Sequence, residues 1–277
     1  MNRRRALSAS LGLAMTALAG CQPATPDSMA MTLPASDLVA DLERVARARV
    51  LFAHQSVGRN VLEGTARLAA EAGVALKIVE LRDGRFPEGP GVYHLNIGEN
   101  GKPEGKLAAF RALLTGPARP TFDLAALKLC YVDLDGADDV RARALAEHYL
   151  TGIAALRAQR PDLKLLHLTM PVRDEIHGAK TLIKRLIGVD QTGDADNAAR
   201  AAYNAVLRQR LAGQPLFDIA LLESTRADSS RTVFTRRGVA VETLAPEYTS
   251  DGGHLNAAGQ RHVAAAFVTA LAAQLPR

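Results

Sequence analysis

Two short segments, far apart in the chain, hold residue types that can move protons and attack carbonyl groups. The first is His54-Gln55-Ser56-Val57-Gly58, directly after the apolar run Arg49-Val50-Leu51-Phe52-Ala53. A serine at a strand-to-helix turn presents its hydroxyl beside helix N-terminal N–H groups. Those donors and the helix dipole favour a developing anion. Capping the helix is the other job open to a serine there. The second segment is Asp251-Gly252-Gly253-His254-Leu255-Asn256-Ala257-Ala258-Gly259. A carboxylate three residues before an imidazole can orient it. A His so held takes a proton from a serine hydroxyl and later returns it to a leaving group. The same residues also read as a surface loop, because Asp-Gly-Gly is ordinary turn chemistry.

The elements that must position these residues follow from hydrophobic periodicity. Strands are expected at 49–53, 74–81, 124–132, 164–169 and 216–223. Helices are expected at 38–47, 57–72, 106–115, 140–159, 195–212 and 259–275. Residues 82–105 are rich in Gly, Pro and Asn and read as a long loop, which in a compact domain is usually functional or disordered. Strands alternating with helices predict a three-layer α/β/α sandwich with a mostly parallel central sheet. Ligands of such sheets bind beyond the C-terminal strand ends, which is where Ser56 falls.

Taken together, the two segments resemble the SGNH (GDSL-like) hydrolase superfamily, of flavodoxin-like layout, from about residue 45 to the end. The resemblance implies an ester or thioester hydrolase without metal or cofactor. It maps the nucleophile to Ser56, the base to His254 and its orienting carboxylate to Asp251. Asn96-Ile97-Gly98-Glu99-Asn100-Gly101 fits the family's Asn-x-Gly-x-x-Gly loop and places an oxyanion-binding backbone N–H at Gly101. The family's Gly-x-Asn-Asp is Cys130-Tyr131-Val132-Asp133 here. Val132 cannot donate a hydrogen bond, so Asn100 is the substitute expected for that donor. The family's Gly-Asp-Ser is His54-Gln55-Ser56, matching a divergent branch that reads Phe-x-His-x-Ser-Val-Gly. His54 is expected to be a satisfied strand-end histidine. Asp133, Asp135, Asp138 and Asp139 read as a solvated acidic turn rather than a calcium site. Arg173 is expected to pair with Asp174 or Glu175, although it could also hold a substrate anion.

The N-terminus reads as a targeting segment. Arg3, Arg4 and Arg5 precede the uncharged stretch Ala6 to Gly20, too short for a membrane span. Leu18-Ala19-Gly20-Cys21 resembles the bacterial lipobox. The expectation is a signal peptide at 1–20, a lipidated Cys21 with a tether to residue 40, and a hydrolase domain at 41–277. Gln22 stands where lipoproteins retained in the inner membrane carry Asp. A lipid anchor in the outer membrane, facing the periplasm, is therefore expected. Loss of the three arginines lowers the formal net charge of +5 by three, to +2. With no basic stripe and no stacking aromatics, a nucleic-acid partner is not expected. Cys130 has no partner for an internal disulfide and reads as a small buried hydrophobe. An envelope location points to an acylated glycan or small molecule as substrate. Two alternatives stand beside hydrolysis: acyl transfer by the same triad, and a non-catalytic glycan-binding lipoprotein.

Overall fold

The computed structural model describes residues 35–82, 86–116, 121–174 and 192–276. The proposed signal peptide, Cys21 and most of the tether lie outside them. Strand β1 (Arg49–His54) shows how the sheet is built. Val50 and Phe52 enter one apolar cluster and Leu51 and Ala53 the other, and all four are fully buried. A strand covered on both faces reads as a continuous apolar run, as expected of a parallel sheet. The other sheet strands are β2 (Ile78–Glu80), β3 (Gly91–Asn96), β4 (Leu124–Leu127), β5 (Lys164–Leu168) and β6 (Leu216–Phe217). The sheet order is β2-β3-β1-β4-β5-β6, with every pairing parallel.

Helices cover both faces. Helices α1 (Ala35–Ala46) and α2 (Ser56–Glu71) lie on the Phe52 side, joined by the last helix of the chain, Ala257–Ala272. On the Leu51 side lie α3 (Pro103–Thr115), α4 (Asp139–Gln159) and α5 (Thr192–Arg210). The short α6 (Ile219–Ser224) follows β6, so the last helix is α7. Helices α2 and α7 cross closely at Gly64, where a Cβ would stand 2.4 Å from the Gln260 carbonyl. This contact matters because α2 begins at Ser56 and α7 begins just after His254.

The three-layer architecture agrees with the expectation, but several elements differ; the expected strand at 74–81, for one, is a strand only over Ile78–Glu80. The expected loop at 82–105 contains β3, which sits centrally between β2 and β1. The expected strand at 124–132 stops at Leu127, and a 3₁₀ turn follows at Tyr131–Leu134. Asp133 draws the chain round there by accepting the Cys130 N–H at 2.8 Å. The expected strand at 216–223 becomes helix after two residues, because the Asp218 side chain caps α6 through the Leu221 N–H. A short apolar run does not separate strand from helix by periodicity. A separate antiparallel hairpin, β7 (Val233–Arg236) with β8 (Val239–Glu242), has no counterpart in the expectation.

Candidate active site

At the end of β1 the chain turns through Gln55, whose extended backbone makes it the N-cap of α2. Its side chain reaches sideways and donates to the carbonyls of Ile97 and Gly98, at 2.7 and 3.2 Å. Ser56 is therefore the first helical residue and not the cap. Its hydroxyl has no hydrogen-bond partner among the described residues. The first-turn N–H groups of Ser56 and Val57 have no intrahelical acceptor. His54 behaves as the strand-end histidine expected. It is fully buried, with Nδ1 2.8 Å from the Gln55 carbonyl and Nε2 3.0 Å from His94 Nδ1. Burial pushes its imidazole down to about 3. Gly58 makes room for it, since a Cβ there would lie 2.4 Å from His54 Cβ.

The loop before α7 is organised by one carboxylate. Asp251 Oδ1 accepts the backbone N–H groups of Gly253 (2.9 Å) and His254 (2.7 Å). Oδ2 lies 2.6 Å from His254 Nδ1. The His254 N–H, more than any other group, holds the Asp251 carboxyl well below the usual carboxylate range. An ionised carboxylate only accepts, so Nδ1 is the nitrogen that carries its proton toward Asp251, which in the neutral ring leaves the lone pair on Nε2. The loop docks onto α2 because the Leu255 N–H donates to Asn60 Oδ1 at 3.2 Å. Asn60 lies one turn along the helix from Ser56, on the same face. Asp251 and His254 are thus clamped to the helix that Ser56 opens. No hydrogen bond joins Ser56 to His254 among the described residues.

Facing these is a buried ion pair that sequence reasoning missed. Lys106 on α3 and Asp133 in the 3₁₀ turn have fully buried side chains, and Nζ lies 2.7 and 2.8 Å from the two carboxylate oxygens. The acidic turn is therefore not uniformly solvated: Asp133 is internal, Asp135 pairs with Arg200, and Asp138 caps α4. Asp133 Oδ1 also accepts the Gly101 N–H at 2.9 Å. That bond uses the donor which the resemblance assigned to an oxyanion. Lys106 further donates to Asn100 Oδ1 at 2.9 Å. Lysine can only donate, so the Asn100 oxygen must face it and the amide N–H groups must point elsewhere. The hint in the sequence is Gly98, at φ +60, where a Cβ would meet Lys106 Cγ at 2.8 Å.

Tyr131 closes the site on the side of β4. Its ring meets the His254 ring edge-on, with centroids 6.2 Å apart. Gly253 passes so close that a Cβ there would be 2.8 Å from the Tyr131 hydroxyl oxygen. Val132 is half-buried and offers no donor, as expected. Cys130 is buried and has no disulfide. A separate cleft of about 430 Å³, lined by Arg49, Phe122, Asp123 and Lys164, opens at the N-terminal strand ends. That is the opposite edge of the sheet from Ser56.

No family model and no curated protein matches the sequence. Solved structures of similar layout include an acetyl xylan esterase, at 15% identity and a TM-score of 0.45, covering 80% of this chain and 98% of that one. An aryl esterase from M. smegmatis aligns at 14% identity and 0.45, covering 82% and 100%. A phospholipase A1 from Streptomyces albidoflavus aligns at 15% identity and 0.38, covering 82% and 99%.

Proposed function

We propose that this chain is a serine ester hydrolase of the SGNH type. The observation that carries the reading is the 2.6 Å contact of Asp251 with His254 Nδ1, on a loop clamped to the helix that Ser56 begins. Ser56 Oγ attacks the ester carbonyl carbon while His254 Nε2 takes its proton. Asp251 holds the tautomer and stabilises the imidazolium. The oxyanion is received by the N–H groups at the start of α2 and by the Asn100 side-chain amide. Collapse of the tetrahedral intermediate expels the alcohol, which takes the proton from His254. Water, deprotonated by His254, then releases the acid and restores Ser56.

The setting proposed is the cell envelope, with Cys21 lipidated and an O-acylated glycan as substrate. The glycan rests on that location and on fold-level analogy. A non-catalytic glycan-binding role draws on two observations, the apolar Val132 and the Gly101 N–H already bound to Asp133. Fluorophosphonate labelling of the purified full chain separates the two readings. Covalent labelling of the parent, lost in Ser56→Ala and His254→Ala, is the expected result. A folded parent that takes no label overturns the hydrolase. Lipidation is tested by envelope fractionation, in which Cys21→Ser is expected to move the protein from membranes to the soluble periplasm.

A further inference from the structure

Arg173 follows β5 at the C-terminal edge of the sheet, and its backbone is pinned from two sides. Its N–H donates to Asn197 Oδ1 at 3.1 Å. Its carbonyl accepts from Asn197 Nδ2 (2.9 Å), Thr243 Oγ1 (2.6 Å) and the Leu244 N–H (3.1 Å). Asn197 and Thr243 are buried, so the position is rigid. The next N–H, of Asp174, donates to the Gly252 carbonyl at 2.9 Å, tying this corner to the His254 loop.

The side chain stands out for its charge. Two guanidinium groups lie over the Tyr131 ring, Arg173 at 5.3 Å and Arg200 at 5.8 Å from the centroid. Arg200 is neutralised by Asp135 and bonded to Asn197 and the Tyr131 carbonyl. Arg173 forms no ion pair among the described residues, outside which its expected partner Glu175 lies, and its Nε is buried without an acceptor among them. Asp251 has both oxygens committed to the His254 turn. A guanidinium fixed by stacking, short of an acceptor among the described residues and one ring away from His254, is placed to receive an anion from outside.

We propose that Arg173 recognises a carboxylate on the substrate, so that the esters preferred by this site are acidic. The planar fork of the guanidinium suits a carboxylate in two-point contact. The inference rests on the hydrolase reading and narrows it to a substrate class. The carboxylate can belong to the acyl half or to the alcohol half, and simple esters distinguish them. 4-Nitrophenyl hemisuccinate carries it on the acyl side, 4-acetoxybenzoate on the alcohol side, and 4-nitrophenyl acetate on neither.

The test is kcat/KM on all three for the parent, Arg173→Met and Arg173→Lys, with thermal unfolding as the check on folding. The parent is expected to prefer one acidic ester over the acetate. Arg173→Met is expected to cut that preference by roughly 10- to 100-fold, chiefly through KM, as befits a charged hydrogen bond. Arg173→Lys should restore part of it. Equal losses on acidic and neutral esters, or a labelled and active parent with no preference, overturn the acidic-ester site and leave the hydrolase standing. Calorimetry with monomethyl succinate keeps the two ideas separate. Binding that is lost in Arg173→Met, by a protein that neither labels nor turns over, supports the carboxylate site and overturns the hydrolase. A protein that neither binds, labels nor turns over overturns both.

Discussion

At the scale of single residues, the site is a set of groups whose donors and acceptors are nearly all assigned. Asp251 spends one oxygen on the turn and the other on the imidazole, so the residue that builds the loop also fixes the tautomer. In the proposed mechanism, loss of either Ser56 or His254 removes a whole step, and each alanine variant is expected to lower turnover by about 10⁴-fold or more. Asn100 belongs to the same economy. Lys106 occupies its oxygen and leaves its amide hydrogens as donors. Asn100→Ala is therefore expected to reduce kcat by about 10²–10³-fold with little change in melting temperature, since the residue is exposed. An unchanged kcat would remove Asn100 from the oxyanion site. Lys106→Met should behave differently. It strands the Asp133 carboxylate in the interior, at a cost of about 3–5 kcal/mol seen in denaturant unfolding.

At the scale of elements, the site depends on how two helices meet. Ser56 is presented by α2 and His254 by the loop entering α7, and these helices touch where Gly64 has no side chain. Gly64→Ala would place a methyl group 2.4 Å from the Gln260 carbonyl, and backbone cannot yield there without the helices separating. A stability loss of about 1–3 kcal/mol is expected, with a fall in kcat beyond what unfolding explains. If stability falls and kcat does not, the crossing does not govern the site. Gly259 plays a matching part at the start of α7, where a Cβ would lie 2.5 Å from the Tyr248 carbonyl. Asn256 completes that start by capping α7 through the N–H groups of Ala258 and Gly259. The Asp-x-x-His-Leu-Asn-x-x-Gly block is thus one turn, one cap and one close approach.

At the scale of the molecule, buried histidines make stability depend on pH. Burial lowers His54 from its ordinary 6.5 to about 3 and His167 to about 4, and it lowers His94 and His262 as well. Between the folded and unfolded values the unfolded chain binds more protons. Stability therefore rises with pH through this window, is complete above about 6.5, and is lost as pH falls. At pH 5, His54 and His167 each cost about 2 kcal/mol of stability relative to pH 7. Glu223 has the opposite sign. Burial pushes it up to about 8, so its contribution, complete below about 4.5, is largely lost by pH 7 and returns on acidification to pH 5, where it offsets more than half of the histidine cost. The melting point of the parent is therefore expected to fall by only about 5 °C from pH 7 to pH 5, and that of Glu223→Gln by about 10 °C. A melting point of Glu223→Gln that stays level from pH 7 to pH 5 would show that these imidazoles do not open to protons only on unfolding.

By itself the chain's pattern determines the layered architecture. Fully buried strands must be continuous apolar runs, and amphipathic helices must alternate with them, so β1, β5, α2 and α4 are legible from local composition. The local geometry around Ser56 and around Asp251 and His254 is legible for a related reason. Their motifs record local geometry, a strand-to-helix turn and an Asp-closed loop, that works over a few residues. The interior strand β3 is not legible, because the Gly, Pro and Asn around it read as loop and only its pairing with β1 and β2 makes it a strand. The buried Lys106–Asp133 pair is equally invisible. A lysine on a helix reads as solvated until a distant carboxylate is brought beneath it. The same holds for the Gly101 N–H bound to Asp133 and for the stacking of Arg173 on Tyr131, which are settled by residues remote in sequence. Local sequence can specify covalent neighbours and periodicity; which charge meets which, across loops from different strands, is decided only when the sheet sets its order.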